Sequence, residues 1–134
     1  VDTPEGLIVP NIKNVQEKSI VNIAEEIAML ASAAKTRKLK IPDLKGASFT
    51  ISSLGAIGGK FFTPIINPPE VGILGLSKTF AKVVAKNEEF ESREFLPLSL
   101  SYDHRVINGV YAAQFVTQLG SALEDTALME KNFK

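Results

Sequence analysis

The segment from Leu96 to Leu119 constrains the fold most, because its hydrophobic period changes in the middle. Leu96, Leu98, Leu100 and Tyr102 alternate with Pro97, Ser99, Ser101 and Asp103. This two-residue period belongs to a half-buried strand. From Val110 onward, Tyr111, Ala112, Phe115, Val116 and Leu119 fall on one stripe of a helix. Between strand and helix stands His104, the only histidine of the chain. The turn closes on Asn108-Gly109, where glycine allows a bend that other residues resist, so it can present one imidazole at a fixed angle. Such an imidazole can take and return a proton near neutrality. It can equally be a hydrogen-bonded structural group.

The rest of the chain supplies elements to pack against this unit. Leu7 to Val9, bracketed by Gly6 and Pro10, predicts a very short apolar strand. Ser19 predicts a helix N-cap, followed at the 3.6-residue period by Ile20, Ile23, Ala24, Ile27, Leu30, Ala31 and Ala34. Glu25 and Glu26 take the opposite face. Lys35, Arg37, Lys38 and Lys40 gather near the end, where cations complement the helix dipole. Pro42 to Gly46 predicts a turn. Phe49 to Ser53 alternates as a strand and leads into a glycine-punctuated loop, Leu54 to Lys60. The glycine spacing of that loop, with Phe61 after Lys60, does not meet the P-loop pattern, which excludes nucleotide hydrolysis. Phe62 to Pro69 should be extended, since prolines bias their predecessors away from helix. Val71 to Leu76 predicts a buried strand in which small glycines permit close packing. Thr79 to Ala85 and Phe90 to Phe95, joined at Lys86 to Glu89, predict an antiparallel hairpin feeding the histidine strand. The tail after Ala122 is less periodic, and its Leu128, Met129 and Phe133 could dock on a neighbouring subunit or cap the local core.

Composition narrows the classes. The chain has 134 residues, 45% of them apolar, enough for a real core. Fifteen basic residues balance fifteen acidic ones without a basic stripe, so nucleic-acid binding is set aside. No apolar run approaches a membrane span, and no signal peptide opens the sequence. Without cysteine there is no disulfide framework, thiolate nucleophile or thiolate metal site, and one histidine cannot form a histidine-rich metal cluster. These features fit a soluble intracellular protein.

Asp103 to Gly109 resembles the His-x-x-x-Asp-Gly signature of coenzyme A-dependent acyltransferases, with Asn108 at the aspartate position. Some acetyl-transferring bacterial members also carry asparagine there. The Asp-His-Arg form after a Leu-Ser-Leu-Ser-Tyr strand is similar to the dihydrolipoamide acyltransferase component of 2-oxo acid dehydrogenase complexes. Phe49 to Gly55, Thr63 to Val71 and Gly72 to Gly75 resemble the same family in the same order, up to about Ala122. The Ile-Ser-Ser-Leu-Gly block is nearest the acetyl-transferring pyruvate dehydrogenase type. The opening block, Asp2 to Pro10, is similar to one inside the family's catalytic domain, so residues 1–134 are expected to be its C-terminal part.

This resemblance implies a two-layer α/β sandwich with a mixed sheet, built into homotrimers that stack into a hollow core with the other components of the complex. The implied reaction moves an acetyl group between dihydrolipoamide, carried on a separate lipoyl domain, and coenzyme A. His104 would be the general base and Ser52 the oxyanion donor, with Ser53 on the other strand face. Asn108 would orient the site or simply serve the turn. Asp103 and Arg105 would form a structural ion pair. The basic cluster at Lys35 to Lys40 could meet coenzyme A phosphates or be a solvated helix end, and no coenzyme A contact is assigned. His104 and Ser52 would come from different chains, leaving a monomer inactive. The implied setting is the bacterial cytoplasm, or the mitochondrial matrix in a eukaryote. Two alternatives stand beside this one. The chain could be a catalytically silent assembly module of the same complex, or an acyltransferase with a small-molecule acceptor, as in the chloramphenicol type.

Overall fold

The computed structural model describes residues 1–132. In chain order the elements are β1 (Asp2–Thr3), β2 (Gly6–Leu7), α1 (Ile20–Lys35), β3 (Thr50–Ser53), β4 (Gly72–Leu76), β5 (Phe80–Lys86), β6 (Glu89–Phe95), β7 (Leu98–Tyr102), α2 (Gly109–Glu124) and α3 (Thr126–Asn132). The chain forms two compact units. One comprises residues 1–47 and 119–134, the other residues 48–118.

In the first unit β1 and β2 pair antiparallel. This differs from the expected strand at Leu7 to Val9. Gly6 sits at φ +123 and folds the chain back early, and Thr3 Oγ1 donates to the Gly6 carbonyl at 2.7 Å. Helix α1 starts where Ser19 Oγ accepts from the Asn22 N–H at 3.2 Å, as a cap should. It ends in a Schellman arrangement: the Lys38 N–H bonds the Ala33 carbonyl at 2.8 Å and the Arg37 N–H bonds that of Ala34 at 3.2 Å. Arg37 takes the left-handed position at φ 59, where glycine would be usual. Leu30 and Ala34 are buried, while Ile27 on the same apolar stripe is 54% exposed. The turn expected at Pro42 to Gly46 is a short 3-10 turn, Ile41–Leu44. The tail after Ala122, read as less periodic, is helical through most of its described length, with Asp125 Oδ1 accepting from the Leu128 N–H at 3.0 Å. Phe133 lies outside the described residues.

The second unit is organised by a three-stranded mixed sheet in the order β3-β4-β7. The central strand β4 runs parallel to β3 and antiparallel to β7. Ile73, Leu74, Gly72 and Gly75 of β4 are buried. The glycines admit aromatic rings: a Cβ on Gly72 would come within 2.9 Å of Phe49, and one on Gly75 within 2.7 Å of Phe62. Ala112 of α2 is buried with this core, and Phe49 meets Phe115 of α2 with ring centroids 5.8 Å apart. Sheet and helix thus make two layers, as expected.

Strand β7 begins at Leu98 instead of Leu96, because Pro97 has no N–H for the ladder. All five of its residues are half-buried, so the expected alternation in burial is absent: Tyr102 lines one groove, Ser99 and Ser101 line another, and Leu100 borders both. The hairpin β5-β6 forms a separate two-stranded sheet. Its Asn87-Glu88 turn has positive φ at both residues, 50 and 67, the primed geometry that suits strand twist.

Candidate active site

His104 sits in the turn between β7 and α2. The Asp103 N–H reaches the Val71 carbonyl at 2.9 Å, and the Asp103 carbonyl accepts from the N–H groups of Val106 and Ile107 at 3.0 and 2.9 Å. The Asp103 side chain adds a clamp. Its Oδ1 accepts from the Arg105 N–H at 3.0 Å and from Nε at 2.9 Å, and its Oδ2 accepts from Nη2 at 2.6 Å. Hydrogen bonding from Arg105 holds the Asp103 carboxyl down at about 2, and the same pairing raises the Arg105 guanidinium. The pair is therefore structural: both charges are spent on holding the turn.

Asn108 closes the turn. Its Oδ1 accepts from the Tyr111 N–H at 2.9 Å and its carbonyl from the Ala112 N–H at 3.1 Å, so it is the N-cap of α2. The helix starts one residue before the expected Val110 and runs on past Leu119 to Glu124. His104 is exposed, and its ring tilts against that of Tyr102 with centroids 5.6 Å apart. An apolar cavity of about 450 Å³ is lined by Phe49, Leu100, Tyr102, Ile107, Asn108 and Phe115 among others; His104 does not line it, but its ring neighbour Tyr102 does. Tyr102 is the neighbour of the imidazole that the sequence pattern did not single out, although it lies only two positions before it; Gly109, expected to allow a bend, has no positive φ and opens α2.

Ser52 lies elsewhere. It is half-buried on β3 and pairs with Gly75, which in turn pairs with Ser99. Ser53 belongs to the next row, opposite Leu76, and so faces the other side. The Ser52 row and the Gly72–Tyr102 row stand three residues apart along β4, about 10 Å at strand rise, and β3 and β7 flank β4 about 10 Å apart. His104 lies beyond Tyr102. One chain therefore brings His104, Asn108 and Tyr102 together and leaves Ser52 at the far corner of the sheet.

The basic cluster is exposed, and Arg37 is tied to Glu5 by an ion pair. No group of three or more His, Cys, Asp or Glu among the described residues could hold a metal. No helix among them is long and apolar enough to cross a membrane.

A mixed sheet that ends in an Asp-His-Arg turn against a helix capped by Asn108 defines an acyltransferase catalytic fold. Residues 1–130 match the family described as 2-oxoacid dehydrogenases acyltransferase (catalytic domain), and the chain belongs to it. It is 56% identical over 125 residues to the dihydrolipoyllysine-residue acetyltransferase component of the pyruvate dehydrogenase complex of Azotobacter vinelandii, covering 93% of this chain and 20% of that protein. The Pseudomonas aeruginosa component of the same name is 55% identical over 125 residues, again 93% of this chain and 23% of the relative. The chain thus spans about a fifth of the length of these relatives. Among solved structures, Azotobacter vinelandii dihydrolipoamide acetyltransferase superposes with a TM-score of 0.92 at 53% identity, over 96% of this chain and 53% of that one. A structure of the cubic core of the pyruvate dehydrogenase multienzyme complex gives 0.92 at 54% identity, over 96% of this chain and 53% of the other.

Proposed function

We propose that this chain is the C-terminal part of an acetyltransferase catalytic domain that moves an acetyl group between dihydrolipoamide and coenzyme A in a pyruvate dehydrogenase complex. One observation carries the reading. The solved Azotobacter enzyme was investigated for the role of a serine, a histidine and an asparagine in its catalytic mechanism. There the histidine follows the serine by 52 positions and the asparagine follows the histidine by 4, and Ser52, His104 and Asn108 repeat both separations.

His104 takes the proton of the attacking thiol as sulfur bonds to the thioester carbon. The Ser52 hydroxyl donates to the oxygen on which negative charge develops. When the tetrahedral species collapses, the old carbon–sulfur bond breaks and His104 returns its proton to the departing thiolate. Asn108 acts through the backbone, holding the turn that carries the imidazole by capping α2. The apolar cavity that Tyr102 borders suits an uncharged thioester arm. The lipoyl group would arrive on a separate domain.

Because Ser52 and His104 occupy distant corners of one sheet, the site is completed across a subunit boundary, His104 of one chain facing Ser52 of another. A homotrimer that builds a larger core with the other components of the complex meets that need. The similarity to a cubic-core structure supports such an assembly.

The test is acetyl transfer from acetyl-coenzyme A to dihydrolipoamide in the assembled complex. His104→Ala is expected to abolish turnover. Ser52→Ala should lower it about a hundredfold while leaving assembly intact by mass measurement. Full activity of assembled His104→Ala removes the mechanism, and an inactive unmutated complex leaves a silent assembly module.

A further inference from the structure

An exposed imidazole on a turn keeps rotamer freedom, and a base that must meet a thiol needs that freedom removed. Most of the contacts around His104 fix its backbone: the Asp103–Arg105 clamp, the Val71 carbonyl and the Asn108 cap. The ring itself has a different neighbour. Tyr102 is the last residue of β7, is paired with Gly72 and is half-buried, so its ring is anchored in the sheet. The imidazole tilts against it at 37° with centroids 5.6 Å apart. Gly109 supplies the second wall. A Cβ built there would lie 3.6 Å from Tyr102 Oη and 3.9 Å from His104 Nε2. Tyr102 and Nε2 therefore border one gap, which stays open because position 109 has no side chain.

We propose that Tyr102 is a positioning residue: its ring is the wall that sets the imidazole of His104 so that Nε2 faces the gap over Gly109. The role rests on the reading of His104 as the general base, and it assigns to Tyr102 orientation without proton transfer. A phenyl ring can do this as well as a phenol, whereas an aliphatic side chain of similar bulk leaves the imidazole free to swing.

The single histidine makes the test direct, since its ring signals are unique in the spectrum. In the unmutated chain, nuclear Overhauser contacts between the Tyr102 and His104 ring protons are expected, and their absence overturns the proposal whatever the variants do. Tyr102→Leu is expected to remove the ring-current displacement of the His104 protons, and Tyr102→Phe to retain it. In the assembled complex Tyr102→Leu should lower kcat about 10–100-fold, and Tyr102→Phe should restore it. His104 signals that ignore Tyr102→Leu refute the positioning role. So does a Tyr102→Phe variant as slow as Tyr102→Leu, which would assign the effect to the hydroxyl. If assembled His104→Ala stays active, the general base fails while the ring contacts still stand, so the two failures are distinguishable.

Discussion

Replacing Gly75 by alanine tests whether the centre of the mixed sheet is set by ring packing. Gly75 is buried on β4 between Ser52 and Ser99, and its φ is not positive. Alanine therefore suits its backbone and the cost is steric. The added Cβ would stand 2.7, 3.0 and 3.3 Å from Phe62 Cζ, Cε1 and Cε2. Carbon pairs rest at about 3.5–4.0 Å, so the ring must retreat by about 1 Å. Phe62 is half-buried and is followed two positions later by the buried Pro64, which limits that retreat. Overpacking of this kind costs about 1–3 kcal/mol. The loss of glycine's freedom in the unfolded chain returns about 0.4–1 kcal/mol, leaving a net destabilisation between about 0 and 2.6 kcal/mol, about 1.3 at mid-range. A urea titration should show a lower midpoint with an unchanged slope. The decisive arm is the double variant: in a Phe62→Leu background Gly75→Ala should lose most of its cost, because neighbours that share a contact do not add. A stabilising Gly75→Ala, or an additive pair, would refute the packing argument.

Three further outcomes follow from the geometry. The Asp103 carboxyl is held at about 2 against an ordinary 3.8 by Arg105, so its pairing stabilises the fold above the ordinary value and is lost as pH falls towards 2. Carboxylate NMR titration should find that low midpoint, and Asp103→Asn should remove its share of the acid sensitivity. Ser19→Ala should destabilise by about 1 kcal/mol through loss of the α1 cap, with Ser19→Asp largely retaining it, both read from urea midpoints. Glu88→Gly should raise stability by about 1 kcal/mol, since Glu88 holds a left-handed φ of 67 that is strained for residues with a Cβ.

Local chemistry was the legible part of the sequence. Ser19 marks its helix start because a hydroxyl at that position satisfies an unpaired N–H, a fact that needs no tertiary context. The break at Asn108-Gly109 marks the start of α2 for the same reason. The core positions of β4 were readable because a run of small and branched residues bounded by turns fits only a covered strand. Strand ends were less legible. Pro97 moves the start of β7 by denying the ladder a donor, and the Gly6 bend moves the first pairing ahead of Leu7, although both residues were in view. The pairing of Asp103 with Arg105 and an orienting or turn role for Asn108 come with the family resemblance; that Asn108 caps α2, and which oxygen meets which N–H, only geometry decides.

What a period cannot carry is the identity of the covering surface. Ile27 lies on the α1 stripe and Tyr111 and Phe115 on that of α2, yet they are 54%, 68% and 43% exposed in the chain by itself. Periodicity marks a face as apolar because it is written by the helix repeat alone; burial also needs a partner, and that information lies in another part of the surface. The same division separates the two halves of the candidate site. His104 could be found because strand, turn and helix are contiguous in sequence. Its distance from Ser52 could not, because strand order and register decide it: β4 lies between β3 and β7, and Ser52 pairs with the row of Ser99 instead of the row of Tyr102. Register alone does not separate them: β4 stands between the two strands, so Ser52 and His104 stay about two strand spacings apart whichever rows are paired. Strand order and register together are what the proposed completion of the site by a second subunit rests on.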